Sequence, residues 1–328
     1  MPSMVHGLSP LQTRLERSYC VRLLITGGAG FIGSNLVRRA LSHEHEVVVV
    51  DDLSTGYRQN LDGLDVDFRE ASILDESAMA AAVQGVDSVV HLGAIGSVPR
   101  SIADPVSSHA ANATGTLSVL EAARAADVSH VLCASSSSVY GMNPAMPKAE
   151  REWVRPMSPY AVTKLATEQY TLAYQQSYGF DSVAFRFFNV YGPRQAAGHA
   201  YAAVIPVFMD ALMKGDPLPV NGDGTQSRDF TFVETVCSVL LTAAEQRTTN
   251  PEPVNLAFGT NTSLLQLIDL MQEVTGIEAN VHHREPRPGD VQHSQANNDA
   301  LRSLFPDIQP TPLREGIRKT YDWFKEIQ

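Results

Sequence analysis

Val21-Arg22-Leu23-Leu24-Ile25-Thr26-Gly27-Gly28-Ala29-Gly30-Phe31-Ile32-Gly33 decides how this chain folds. Its first six residues are mostly apolar and read as a short buried strand. The glycines come next, and a helical pattern then runs on through Ala40. Without side chains, a turn of this kind lets backbone N–H groups approach a pyrophosphate, and the start of the helix adds a partial positive charge. Two spacings overlap here. Gly28, Gly30 and Gly33 satisfy G-x-G-x-x-G, while Gly27, Gly30 and Gly33 satisfy G-x-x-G-x-x-G.

A second apolar run, Val47 to Val50, ends in Asp51-Asp52. Asp51 lies eighteen residues past Gly33 and is placed to accept hydrogen bonds from a ribose diol. A carboxylate there repels a 2′-phosphate, which favours NAD; Arg58 nearby leaves NADP open. Strand, glycine turn, helix and acid all agree on a dinucleotide site.

Working outward, short strands are predicted at 65–68, 88–92, 130–134 and 182–187, with helices over 73–83, 113–126 and 159–178. Strand and helix alternating in this way predict an α/β fold with a doubly wound parallel (Rossmann) sheet. Residues 21–189 form the predicted cofactor domain, and segments near 228–256 return to it. Residues 190–227 are rich in Pro and Gly and open a second, smaller α/β lobe spanning 190–328. Residues 283–293 read as a polar loop and Leu313–Ile327 as a closing amphipathic helix. Residues 1–20 form an extension to which no function is assigned.

The 328 residues, 44% hydrophobic and 19% charged, are those of a soluble globular protein with a sizeable core. A net charge of −11 argues against a nucleic-acid polymer as partner, yet a small phosphorylated ligand needs only a few local arginines. Cys20, Cys133 and Cys237 are widely spaced, which fits a reducing cytoplasm. No signal peptide or membrane span is predicted. His282, His283 and His293 lack the spacing of a ligand set, so no metal is expected.

Ser158-Pro159-Tyr160-Ala161-Val162-Thr163-Lys164 carries the chemistry. Ser158 can cap a helix and Pro159 suits its first position. Tyr160 and Lys164, four residues apart, then share one helix face. An ammonium beside a phenol favours the phenolate, so Tyr160 is expected to titrate nearer to neutrality and to serve as a base toward a sugar hydroxyl.

With the run Ser135-Ser136-Ser137-Ser138-Val139-Tyr140-Gly141, these motifs resemble the extended short-chain dehydrogenase/reductases, specifically the nucleotide-sugar 4-epimerases. The resemblance runs from Val21 to the C-terminus. It implies Ser136, Tyr160 and Lys164 as the catalytic set. For the cofactor, NAD, it implies Gly27, Gly28, Gly30, Phe31, Ile32, Gly33, Asp51, Ser72, Ile73, Leu92 and Asn112, with Tyr160 and Lys164. Ser72 stands where the family often has Asp against the adenine. For a UDP-sugar it implies Asn189 and the arginines Arg228 and Arg287 on the diphosphate, Asp290 on the uridine ribose, and Ser294 as a gate beside the sugar C2 substituent. A small gate residue admits an N-acetyl group, while glucose and galactose stay open.

The activity implied is reversible inversion at C4 of a UDP-hexose through a transient 4-keto sugar, with tightly bound NAD and a homodimeric enzyme. Ser137 and Ser138 replace the acidic pair of the related 4,6-dehydratases. Gly192-Pro193-Arg194-Gln195 leads into Ala196-Ala197 where uronate-handling relatives place a carboxylate-binding Arg. The competing readings are a UDP-glucuronate 4-epimerase, a net dehydrogenase, or a non-catalytic nucleotide-sugar-binding relative.

Overall fold

The computed structural model describes residues 20–198, 202–285 and 292–327. The chain begins β1 (Arg22–Thr26), α1 (Phe31–Ser42), β2 (Glu46–Asp51), β3 (Asp67–Glu70), α2 (Glu76–Ala82) and β4 (Ser88–His91). It continues through α3 (Val98–Ala103), α4 (Pro105–His109), α5 (Gly115–Ala125), β5 (His130–Ser136), α6 (Pro159–Tyr178) and β6 (Asp181–Phe187). There follow β7 (Asn189–Tyr191), α7 (Val204–Lys214), β8 (Leu218–Asn221), β9 (Ser227–Arg228), β10 (Phe230–Phe232) and α8 (Val233–Glu245). The last elements are β11 (Val254–Leu256), β12 (Thr262–Ser263), α9 (Leu264–Thr275), β13 (Val281–Arg284), α10 (Asp299–Leu304) and α11 (Leu313–Ile327).

Seven strands form one parallel sheet in the order β11-β6-β5-β4-β1-β2-β3. The expected doubly wound sheet is therefore present. Successive side chains of a strand point to opposite faces, and β1 feeds both layers. Leu23 and Ile25 pack with Leu36 and Val37 of α1 and with Val236 and Leu240 of α8. Leu24 packs on the other face with Met79 of α2 and Val119 and Leu120 of α5. The chain runs outward through β1, β2 and β3 and then returns to place β4 on the other side of β1, and this reversal between β1 and β4 leaves a crevice beyond the C-terminal ends of the strands, where ligands of such sheets bind.

The second half is knitted from pairs: β7 with β10, β9 with β12 and β8 with β13. Two of its elements return to the sheet, β11 at the edge and α8 against α1. His45 helps hold α8. The Val21 N–H donates to its Nδ1 at 3.2 Å, so Nε2 carries the proton and donates to Glu245 at 2.9 Å.

Helices over 159–178 and 313–327 form where the sequence predicts them. Elsewhere local chemistry moves the bounds. The helix expected from residue 73 starts at Glu76, because Asp75 caps it by accepting the Ala78 N–H at 3.0 Å. The helix expected from residue 113 is preceded by α4, capped by Asp104 on the Ser107 N–H, and by a wide turn over Ala110–Thr114. Part of the polar loop expected from residue 283 is strand β13. No described helix is long and apolar enough to cross a membrane.

Candidate active site

The glycine turn divides its labour. Gly27 adopts φ +70°, and a Cβ on Gly33 would lie 2.1 Å from the Gly27 carbonyl oxygen, so the turn closes only on glycine. Gly28 faces the sheet instead, where a Cβ would meet Val49 at 2.6 Å. Gly27, Gly30 and Gly33, with Phe31 and Ile32, line a cavity of about 760 Å³; Gly28 packs behind it. The same cavity runs from Asp51 past Ser72, Ile73 and Leu92 to Ser136, Tyr160 and Lys164.

Asp51 sits at the β2 end with its carboxylate accepting from the Ala29 and Leu53 N–H groups, each at 2.9 Å. Burial pushes its pKa up, and those backbone hydrogen bonds pull it back. Each oxygen keeps a lone pair for a ribose hydroxyl. Arg58 stands outside the cavity wall, paired with Glu70 at 3.2 Å and stacked 4.8 Å from the Phe68 ring. Its charge is spent there, which leaves Asp51 to set the preference for a free 2′-hydroxyl. A bare glycine cradle, an acid at the end of β2 and a volume in the usual ligand range fit a dinucleotide.

Two serines hold the start of α6. Ser158 accepts the Ala161 N–H at 3.1 Å, as the sequence predicts, and Ser101 of α3 accepts the Tyr160 N–H at 2.9 Å. Ser101 is buried and was not legible as a site residue; its signal was a serine next to the cavity loop in Gly96-Ser97-Val98-Pro99-Arg100-Ser101. Lys164 donates from Nζ to the Ala134 carbonyl at 2.8 Å, and Ser136 lies two residues further along the same strand.

The protonation of the pair departs from expectation. Burial raises the Tyr160 pKa above its usual value, opposed by a side-chain hydrogen bond with Ser136. Lysine is not what lowers it. Burial also depresses the Lys164 ammonium to about 8. The cause is common to both: removal from water disfavours phenolate and ammonium alike.

Behind the reactive face lies a polar layer that sequence reasoning missed. Ser135 donates to Glu168 at 3.0 Å, and Glu168 meets Arg186 of β6 in a fork of 2.8 and 2.7 Å. Both charges are buried. Glu168 falls four residues after Lys164, so an acid on the inward face of α6 was the available signal. Nearby, His91 bridges Thr26 at 2.8 Å and Thr116 at 3.1 Å. Burial holds its pKa down to about 3.

Asn112 belongs to this layer rather than to the cavity wall. Its Oδ1 accepts the Ile95 N–H at 2.7 Å, and its Nδ2 donates to the Ile95 carbonyl and to Thr163. It fixes the loop after β4 against α6, and so acts on the cofactor end through Ile95, which does line the cavity.

The expected substrate residues form a separate group. Asn189 donates to the Asp229 carbonyl at 3.3 Å. Arg228 donates to the Ser227 and Gln292 carbonyls, and the Ser294 N–H donates to Ser227 at 3.1 Å. Arg228 and Ser294 are thus brought together, outside the walls of the cofactor cavity. Arg287 and Asp290 lie outside the described residues. His283 and His293 are engaged with the Gly222 carbonyl and the Ser227 hydroxyl, each at 2.8 Å.

The model of the NAD dependent epimerase/dehydratase family matches residues 23–257. The chain is 37% identical over 311 residues to a UDP-glucose 4-epimerase of Mycolicibacterium smegmatis, covering 93% of this chain and 99% of that protein. It superposes with a TM-score of 0.89 and 34% identity on a UDP-N-acetylglucosamine 4-epimerase from Methanobrevibacter ruminantium in complex with UDP-N-acetylmuramic acid, covering 94% and 99% of the two chains. A Thermus thermophilus UDP-glucose 4-epimerase in complex with NAD gives 0.83 and 35% over 93% and 99%.

Proposed function

This chain belongs to the NAD-dependent epimerase/dehydratase family as an enzyme of the UDP-sugar 4-epimerase type, and we propose that it inverts C4 of a UDP-hexose. The candidate pairs are UDP-N-acetylglucosamine/galactosamine and UDP-glucose/galactose. One observation carries the reading: a single cavity joins the glycine cradle to Ser136, Tyr160 and Lys164.

Tyr160, hydrogen-bonded with Ser136, takes the proton of the sugar O4 hydroxyl and returns it after inversion. Lys164 keeps a cationic charge near the base at neutral pH and would hold the ribose of the nicotinamide end. Gly27, Gly30, Gly33 and Asp51 would hold the pyrophosphate and adenosine end. When bound, NAD would supply the hydride acceptor and then donor at C4, and the sugar would pass through a 4-keto form with no net redox change. Residues 21–189, with 228–256, serve as the cofactor domain. Asn189 and Arg228, at the ends of those segments, grip the UDP together with Arg287 and Asp290 of the remaining lobe, leaving the sugar free to turn, with Ser294 as the gate.

A second reading, a sugar bearing a carboxylate, draws on Arg100. It lines the cavity, and among the described residues its guanidinium makes no hydrogen bond or ion pair. A relative bound to UDP-N-acetylmuramic acid is consistent with it. The deciding assay offers purified enzyme UDP-glucose, UDP-N-acetylglucosamine and UDP-glucuronate and separates the products by chromatography. Interconversion of C4 epimers without growth of absorbance at 340 nm supports the proposal. Steady reduced-cofactor release, or no turnover of any of the three, overturns it.

The expected homodimer is supported by exposed apolar side chains on neighbouring helices, Ile102 of α3 and Val106 of α4 at 65% and 76%, with Val162 of α6. Light scattering that reads the mass of one chain would remove that part.

A further inference from the structure

A second cavity, of about 710 Å³, opens on the far side of the loop that follows β7. Arg38 of α1, Tyr57, Arg194, Lys214 of α7 and Trp323 and Phe324 of α11 line it. None of the residues assigned to the cofactor or the UDP-sugar lines it. Tyr57, Arg194 and Ala196 are shared with the reaction cavity, so the two spaces meet at one wall.

The charges of this wall are poorly matched by the protein itself. Lys214 is paired with Asp210 at 2.8 Å. Arg38 donates from Nη2 to the Asn60 carbonyl at 3.0 Å, and its Nε is buried without a hydrogen-bond partner. Arg194 is half-buried, and its guanidinium makes no hydrogen bond or ion pair among the described residues. Its backbone sits at φ +70°, a conformation that side-chain-bearing residues rarely take. The neighbouring Arg38 and burial both disfavour its charge, and Glu326 only partly offsets them. Two guanidinium groups that line one cavity suit an oxyanion, which each planar fork can meet with paired N–H groups. The part of the lining that α11 supplies is aromatic, with Trp323 and Phe324 edge to face at 4.9 Å. Such a wall takes a planar ring.

We propose that this cavity binds an anion carried on an aromatic ring, of the class of a nucleoside monophosphate, with the anion on Arg38 and Arg194 and the ring against Trp323. The site goes beyond the epimerase reading and does not depend on it. Because Arg194 is common to both cavities, a ligand here also alters the surroundings of the cofactor.

The chain has two tryptophans, so a Trp153→Phe background leaves Trp323 as sole reporter. Holoenzyme saturated with NAD and UDP, which fill the reaction cavity, is titrated with guanosine 5′-monophosphate while Trp323 fluorescence is followed. A saturable change is expected, weakened at least ten-fold in Arg38→Gln, with guanosine and inorganic phosphate alone each binding at least ten-fold more weakly. Epimerase kcat in Arg38→Gln is expected to stay within two-fold of wild type, which also shows that the variant is folded. No saturable change overturns the proposal, as does equal affinity in Arg38→Gln or binding of guanosine as tight as that of its phosphate. The titration reads Trp323 and not turnover, and an unchanged melting temperature of Arg38→Gln shows it to be folded even if every UDP-sugar assay fails, so the two readings fail separately.

Discussion

The Lys164 ammonium donates to the Ala134 carbonyl at 2.8 Å, which ties the reactive helix α6 to the strand that carries Ser136. The proposed base, relay and cation, Tyr160, Ser136 and Lys164, therefore sit on two elements locked together, and their spacing does not depend on a loop. Tyr160 enters this frame with its pKa raised by removal from water, so its activation has to come from what surrounds it in the loaded site.

Tyr160→Phe removes only the hydroxyl. Turnover is expected to fall by about 10²–10⁴-fold, the usual share of a positioned acid or base, with UDP-sugar affinity changed by no more than a few-fold. Product chromatography and titration calorimetry read the two quantities. Near-wild-type turnover would remove Tyr160 from the mechanism.

His91 makes the fold acid-sensitive. Its pKa is about 3 in the native state against 6.5 for the unreacted imidazole, so between those values the unfolded chain takes up a proton that the native state refuses. Stability contributed by the neutral ring is present above that window and is lost as pH falls through it. Urea melts of wild type and His91→Asn between pH 7 and 4 check this. The variant should be less stable at pH 7 and depend less steeply on pH; equal slopes would exclude His91 as the source.

Glu168→Ala leaves the buried Arg186 guanidinium without its counter-ion and should destabilise the protein by about 3–5 kcal/mol. Because Ser135 links Glu168 to the carbonyl of Lys164, kcat should fall even where the variant remains folded. Chemical denaturation and kinetics on the same preparation separate the two effects.

Gly33→Ala places a methyl group 2.1 Å from the Gly27 oxygen. Neither atom belongs to a flexible side chain, so the turn must open. The variant is expected to purify with little NAD and to melt well below wild type. Retention of full cofactor content would show that the cradle tolerates a rearrangement.

Ser294→Tyr tests the gate implied by the family resemblance. A phenol at that position should suppress turnover of UDP-N-acetylglucosamine by at least an order of magnitude and spare UDP-glucose. Equal losses on both sugars would move the specificity from Ser294 to the wall of the reaction cavity, with Arg100 the first place to look.

Much of this molecule could be read from order along the chain. A strand, a glycine turn and a helix are neighbours in sequence, and Tyr160 and Lys164 are one helical turn apart; such relations are local, so β1, α1, α6 and the placing of Tyr160 and Lys164 on one helix were legible from residues 21–33 and 158–164. What only the tertiary structure decided are relations across distant segments. Ser101 meets Tyr160, Asn112 turns from the cavity to hold Ile95, Arg186 finds Glu168, and Arg38 and Arg194 come to line one cavity. Hydrogen-bond partners and burial of this kind are set by which surfaces the sheet brings together, and protonation follows burial. For that reason a short spacing could announce the reactive pair but not the pKa at which it works.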